Sequence, residues 1–328
     1  MQPAPRAAPT PRPRPQARTF AAFAGFLGLF LALYAAAFAV AERTVARDGA
    51  ETAFQRLLAA RGEQADWVVL GASHALPLSF GDVPGRLQAD TGQSMTVLAE
   101  IGAGPLYNRF VFEQALIDLE VQNLLYAVDS FGFGGEAWNE ARVGDRKLLR
   151  QTPLRLSTAG SLGALVLEGH ASPLSLLDYL TGFSKLNPVE RFPQEGWRGA
   201  ADFDRSFRPS RHAVSARIAY LYPEGAPAPA TVERYLEILT DLFDRAERAG
   251  VKVVVVKLPL TEAFRSQLPR EAAFDRMLAE RLSARGIPFH DLSAAVEDPS
   301  LYFDTDHLNR QGVEALYRDH LRAILAPR

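Results

Sequence analysis

The strongest pattern in the chain is an uncharged run of 23 residues from Thr19 to Ala41, TFAAFAGFLGLFLALYAAAFAVA. As a helix rising 1.5 Å per residue it would extend roughly 34 Å, enough to cross a bilayer core. It is apolar on every face rather than along one stripe, which argues against a buried core helix. Beyond it the periodicity changes. Glu42 to Arg61 reads as a helix leaving the membrane, with Val45, Phe54, Leu57 and Leu58 available to one face, and 42–64 is expected to form a helical stalk. Asp66–Leu70 (DWVVL) then reads as a buried strand ending at Gly71. Helical spacing over 79–93 is broken by Gly92. Met95–Ala99 is a second strand, Leu106–Leu119 a helix, and Asn123–Val128 (NLLYAV) a third strand ending at Asp129.

The pattern lapses over 131–228, which reads as a large insertion at the rim of a sheet. It returns at Thr231, where Tyr235, Ile238, Leu239, Leu242, Phe243 and Ala246 follow helical spacing up to Gly250. Val251–Leu258 (VKVVVVKL) is the clearest strand, β-branched and nearly continuous. A helix over 262–285, a strand at Ile287–His290 and a last helix from Asn309 to Leu325 complete the chain. Apolar strands alternating with helices predict an α/β domain over 65–328, a parallel sheet covered on both faces. Ligands of such sheets collect beyond the carboxyl ends of the strands.

Charge gives the chain a direction. Residues 1–18 hold six prolines, Arg6, Arg12, Arg14 and Arg18, and no acid, the composition of a disordered basic tail. Four arginines before the apolar run face a mixed Glu42, Arg43, Arg47 and Asp48 after it. This predicts a single-pass signal anchor in the inner (cytoplasmic) membrane, N-terminus in the cytoplasm and main domain periplasmic or otherwise extracytoplasmic. Ala39-Val40-Ala41 also offers a small-x-small cleavage site, but the run exceeds the usual ~7–15 apolar residues of a cleaved signal peptide. The 328 residues carry a net charge of −2, which gives no electrostatic footprint for nucleic acid. The absence of cysteine excludes disulfides, thiolate metal sites and cysteine nucleophiles. Phe131-Gly132-Phe133-Gly134-Gly135 has neither dinucleotide nor P-loop spacing, and no cofactor is expected.

Two segments carry chemistry. Gly71-Ala72-Ser73-His74 follows the first strand, so Ser73 is expected on a tight turn at the carboxyl edge of the sheet; by itself it also reads as a turn or capping serine. Phe303-Asp304-Thr305-Asp306-His307-Leu308-Asn309 precedes the last helix. A serine hydroxyl needs a base within hydrogen-bond reach. Histidine suits that role near neutral pH, and works best when a carboxylate orients its second nitrogen. Asp304 and His307, three apart in a loop, are close enough to meet. The same loop permits a metal reading with Asp304, Asp306 and His307 as ligands, although no second ligand cluster accompanies it.

A serine after the first strand and Asp-x-x-His before the final helix resemble the SGNH, or GDSL-type, hydrolase superfamily over residues 66–328. The resemblance implies a flavodoxin-like three-layer α/β/α sandwich with Ser73 as nucleophile, His307 as base and Asp304 as its orienter. It also implies an oxyanion hole built from the Ser73 N–H and a second-block glycine, Gly102 or Gly104. The family's Gly-Asp-Ser reads Gly-Ala-Ser here. Its third-block Gly-x-Asn-Asp is absent, and the matching position reads Val128-Asp129-Ser130-Phe131. An ionised aspartate cannot donate a hydrogen bond, which leaves Ser130 or backbone N–H groups as replacements. His74, Asp129 and Asp306 are expected as substrate contacts.

With its N-terminal anchor, the chain resembles the exported branch of the superfamily, which includes proteins of alginate O-acetylation and of D-alanine transfer to cell-wall polymers. That likeness implies O-acyl transfer to or from a cell-surface polysaccharide through an acyl-serine, with a membrane-bound O-acyltransferase as partner. A simple carboxylesterase, a non-catalytic subunit of a polysaccharide export or modification complex, and a metal-dependent hydrolase are the alternatives.

Overall fold

The computed structural model describes residues 15–47, 51–187, 198–208 and 210–326. The expected basic tail lies outside the described residues except for its last four. Helix α1 (Pro15–Arg47) begins there and contains the whole apolar run. It is long and apolar enough to cross a membrane, and none of its most apolar stretch is buried by protein. The expected stalk is divided. α2 (Ala53–Ala59) starts anew at a capping box, Thr52 accepting from the Gln55 N–H while the Gln55 side chain accepts from the Thr52 N–H. Phe54 and Leu57 of α2 are buried in the main core, so this segment belongs to the globular domain.

The domain proceeds through β1 (Gln64–Leu70), a 3₁₀ turn at Ser73–Ser79, α3 (Val83–Thr91), β2 (Met95–Val97), α4 (Pro105–Asp118) and β3 (Glu120–Ala127). The stretch that the sequence leaves unassigned is largely helical: α5 (Glu140–Val143), α6 (Arg146–Gln151), α7 (Leu156–Leu167), α8 (Pro173–Thr181), α9 (Phe183–Leu186) and α10 (Arg211–Leu221), with short 3₁₀ turns between some of them. Then come α11 (Pro229–Arg248), β4 (Lys252–Lys257), α12 (Glu262–Arg265), α13 (Glu271–Ala284) and β5 (Phe289–Asp291). The chain closes with α14 (Arg310–Leu316), a π turn at Tyr317–Leu321, and α15 (Arg322–Leu325). The single helix expected over 262–285 is interrupted because Pro269 disfavours helical backbone at the residue before it, and Arg270 takes a left-handed φ of 57°.

All five strands are parallel, in the order β2-β1-β3-β4-β5. The two-residue period of a strand sends alternate side chains to opposite layers. Val68, Leu70, Leu124, Tyr126 and Val255 pack with α2, α4, α11 and α13, whereas Trp67, Val69, Leu125, Val254 and Val256 pack with α3 and the C-terminal helices. The molecule is thus the expected α/β/α sandwich. Its strand order reverses between β1 and β3, where such sheets open a crevice at their carboxyl edge. Ser73 follows β1 and Asp129 follows β3.

Candidate active site

Gly71 sets the position of Ser73. Its φ is +152°, and a Cβ there would lie 2.7 Å from the Ala127 carbonyl oxygen. Only glycine lets the end of β1 lie against the end of β3 in this way. Ser73 follows as the first residue of the 3₁₀ turn and is 3% exposed.

The histidine loop is closed by its own backbone. Phe303 donates its N–H to the His307 carbonyl at 2.9 Å, and Tyr302 and Leu308 form an antiparallel bridge. Asp304 Oδ1 accepts the N–H groups of Asp306 (3.0 Å) and His307 (2.8 Å), the behaviour of an aspartate at a turn. Asn309 then caps α14, accepting from the Gly312 N–H, and ties the loop down through donation to Arg205 and Ser300 carbonyls. The Phe303 ring stacks on the His307 imidazole with 5.6 Å between centroids.

This scaffold brings together three residues that the chain separates widely. Ser73 Oγ is 2.9 Å from His307 Nε2, and His307 Nδ1 is 2.9 Å from each Asp304 carboxylate oxygen. Burial raises the Asp304 pKa, but the charge and hydrogen bond of His307, together with the Asp306 N–H, hold it below the ordinary carboxylate range. An ionised Asp304 keeps Nδ1 protonated and leaves Nε2 to accept the serine proton.

A second chain of charges runs beside the first. His74 Nδ1 is 2.5 Å from Asp129 Oδ1, and its Nε2 is 2.9 Å from Asp306 Oδ2. Two carboxylate acceptors call for two N–H donors, so His74 is an imidazolium. Burial works against that charge, yet Asp129 and then Asp306 push the His74 pKa up to about 10. Asp306 is fully enclosed. Burial raises its pKa, but His307, Arg217 and His74 hold it well below the usual range. Arg217 on α10 donates from Nε to Asp306 Oδ2 at 3.0 Å, and Thr305 donates its hydroxyl to Asp306 Oδ1. The two imidazoles lie 4.8 Å apart, centroid to centroid.

The expected oxyanion donors fare differently. The Gly104 N–H already donates to the Trp138 carbonyl at 2.7 Å, and a Cβ on Gly104 would strike Asn139 Oδ1 and the Gly132 carbonyl. Its role is close packing at the start of α4. The Ser130 hydroxyl donates to Glu271 Oε2 (2.5 Å) and accepts from the Tyr222 hydroxyl (2.8 Å), so it faces α13 rather than a bound substrate. Gly102 sits at φ +65° in the turn closed by the Ala103 N–H and Glu100 carbonyl, with its Cα facing the Trp138 ring. His74 and Asp306, expected to touch substrate, instead hold each other. Asp129 keeps Oδ2 buried without a hydrogen-bond partner. Sequence reasoning missed Arg217, which lies in the unassigned insertion, and the Glu100 carboxylate, which receives the Ala53 N–H at 2.9 Å.

For a metal, the ligand atoms that converge among the described residues belong to His74, Asp306 and His307, all within 4.8 Å of one another, rather than to the Asp304, Asp306 and His307 of the alternative metal reading. Here His74 directs both nitrogens at carboxylates, and His307 directs its pair at Ser73 and Asp304. His74, protonated on both nitrogens, offers a cation no ring lone pair, and the one His307 lone pair, on Nε2, accepts from Ser73, so the donor set fits a proton network better than a metal.

No protein-family model matches the sequence, and no curated protein matches it. Among solved structures, a "putative acylhydrolase" from Bacteroides fragilis NCTC 9343 is similar at 11% identity and a TM-score of 0.40, over 80% of this chain and 89% of that one.

Proposed function

We propose that the protein is a membrane-anchored, extracytoplasmic serine acyl-transfer enzyme of the SGNH type. The observation that carries this reading is the unbroken chain Ser73 Oγ–His307 Nε2–Asp304, each link 2.9 Å. In the first half-reaction His307 takes the Ser73 proton and Oγ attacks an ester carbonyl. The oxyanion meets the N–H groups of Ser73 and Gly102. Collapse expels the alcohol, which takes the proton from His307, and leaves an acyl-serine. In the second half-reaction His307 deprotonates an acceptor hydroxyl, which attacks the acyl-serine and frees Ser73. Water as acceptor makes the protein an esterase; a sugar hydroxyl makes it a transferase.

Transfer to a cell-surface polysaccharide, with a membrane-bound O-acyltransferase delivering the acyl group, is supported by the resemblance to the exported branch and by α1. The arginines before the apolar run support a cytoplasmic N-terminus. Asp129 Oδ2, buried and unpartnered, is suited to accept from a substrate hydroxyl.

The test is mass analysis of the full chain after exposure to a fluorophosphonate and, separately, to an acetyl-ester donor. Both adducts are expected on Ser73 and absent in Ser73→Ala, with His307→Gln slowing adduct formation at least ~10²-fold. Equal labelling of Ser73→Ala would remove the proposal. Passage of the acetyl group to added glycan rather than water separates transferase from esterase. A non-catalytic scaffold is the second reading, favoured by the engagement of Gly104 and Ser130 away from an oxyanion. Unchanged polymer acylation in cells carrying Ser73→Ala would select it.

A further inference from the structure

The insertion between β3 and α11 contains a pair of helices whose polarity is inverted. From Leu156 to Leu167 in α7, and from Ser172 through α8 to Phe183, every exposed residue is uncharged. Leu156 and Leu167 are 93% and 90% exposed, and Leu174, Leu177, Leu180 and Phe183 project from the second segment at three-residue intervals. The charges of that second segment and of α9 point inward. Asp178 is buried and accepts from the N–H and hydroxyl of Ser184. Lys185 is buried and paired with Glu42. A water-facing helix shows the opposite arrangement, and a run of exposed leucines this long marks a surface that something apolar covers.

What covers it follows from α1. Tyr34, Phe38, Ala41, Glu42 and Val45 form one stripe that is less exposed than the rest of the helix. Tyr34 and Phe38 meet the end of α8, Glu42 meets Lys185 of α9, and the Val45 carbonyl accepts from Gln55 of α2. The Tyr34 hydroxyl donates to the Thr181 carbonyl at 2.9 Å, and a Cβ at Gly182 would collide with the Phe38 ring. Tyr34 stands seven residues before the end of the uncharged run, or roughly 10 Å inside it at 1.5 Å per residue. With Thr19–Ala41 in a bilayer, the end of α8 lies at that depth. The Arg146 guanidinium lies 5.9 Å from the Phe183 ring and is largely exposed, which suits a basic side chain whose stem covers apolar surface while its head reaches toward headgroups.

We propose that the α7–α8 hairpin, with α9, is seated in the lipid leaflet that receives the C-terminal half of α1, and that the bilayer is the occupant of its apolar face. This rests on the reading of α1 as membrane-spanning. The hairpin makes a monotopic second contact, of the kind amphipathic helices form at the acyl–headgroup boundary.

The chain has no cysteine, so single cysteines report cleanly. Full-length Leu177→Cys and Leu180→Cys, each carrying a nitroxide, are reconstituted in phosphatidylethanolamine–phosphatidylglycerol bilayers. Collision rates with oxygen and with a water-soluble nickel chelate are then compared. Phe26→Cys in α1 is the lipid reference, and Glu280→Cys, exposed on α13, the water reference. The oxygen-to-nickel ratio at 177 and 180 is expected to rise severalfold over that at 280 and to approach that at 26. A lipid signature at 26 with a water signature at 177 and 180 overturns the hairpin proposal alone. A water signature at 26 overturns the anchor reading and the hairpin with it. Shielding of 177 and 180 from both reagents, with concentration-dependent dipolar broadening, assigns the face to a second copy and overturns the lipid occupant.

Discussion

His74 stands between Asp129 and Asp306, and its proton holds the β3 end to the loop that carries Asp304 and His307. Its pKa is raised from 6.5 to about 10, so its contribution to stability is complete below about pH 6.5 and is lost as pH rises through about 10. Asp306 behaves oppositely: its pKa is depressed, so its contribution is present above the ordinary carboxylate value and fades only in strong acid. His74→Gln is therefore expected to cost most between pH 6 and 7 and progressively less toward pH 10.5, measured by chemical denaturation of both proteins across that range. A cost independent of pH would dismiss the imidazolium. Gly71 makes a simpler case. Gly71→Ala combines a left-handed φ with a clash against the Ala127 backbone, and is expected to cost at least about 2 kcal/mol and to lower fluorophosphonate labelling through displacement of Ser73. Normal stability and labelling in that variant would mean that the β1–β3 ends relax without penalty. At this scale Ser73, Asp304 and His307 were legible because their chemistry comes in a fixed combination of types. Arg217 was not, because its partner Asp306 lies 89 residues away and no local pattern announces the pair.

Among the elements, α2 shows how a short helix is secured. Its capping box satisfies two backbone donors, and the Glu100 carboxylate takes the Ala53 N–H. Thr52→Ala is expected to cost about 1 kcal/mol, readable as a lowered denaturation midpoint with unchanged labelling of Ser73. A loss of labelling without a loss of stability would instead place Thr52 in the site's geometry. The strands were readable from sequence because β-branched runs such as Lys252–Lys257 leave little choice of structure. The helices of 131–228 were not. Several are four to six residues long, too short for a period to register, and their starts depend on single caps such as Asp145, Ser172 and Ser210. α7 and α8 mislead further, since an apolar outward face removes the polar stripe from which amphipathic helices are recognised. The 262–285 helix was overextended because its apolar residues keep spacing across Pro269 while the backbone does not.

For the molecule as a whole, the sequence carried the sandwich, because alternating strands and helices with apolar strand interiors admit few other arrangements. It did not carry the relation between anchor and domain, since contacts such as Tyr34 with Thr181 and Glu42 with Lys185 join segments about 145 residues apart. The bond from Glu100 to the first residues of α2 has a mechanical consequence. Only five residues separate Arg47, the end of α1, from Ala53, a span of at most roughly 20 Å even when fully extended. With α1 in a bilayer, the rim that carries Ser73 has no long leash on which to roam. In the acyl-transfer reading proposed above, its height over the lipid is held within that span, so acceptors would be drawn from a thin shell next to the membrane.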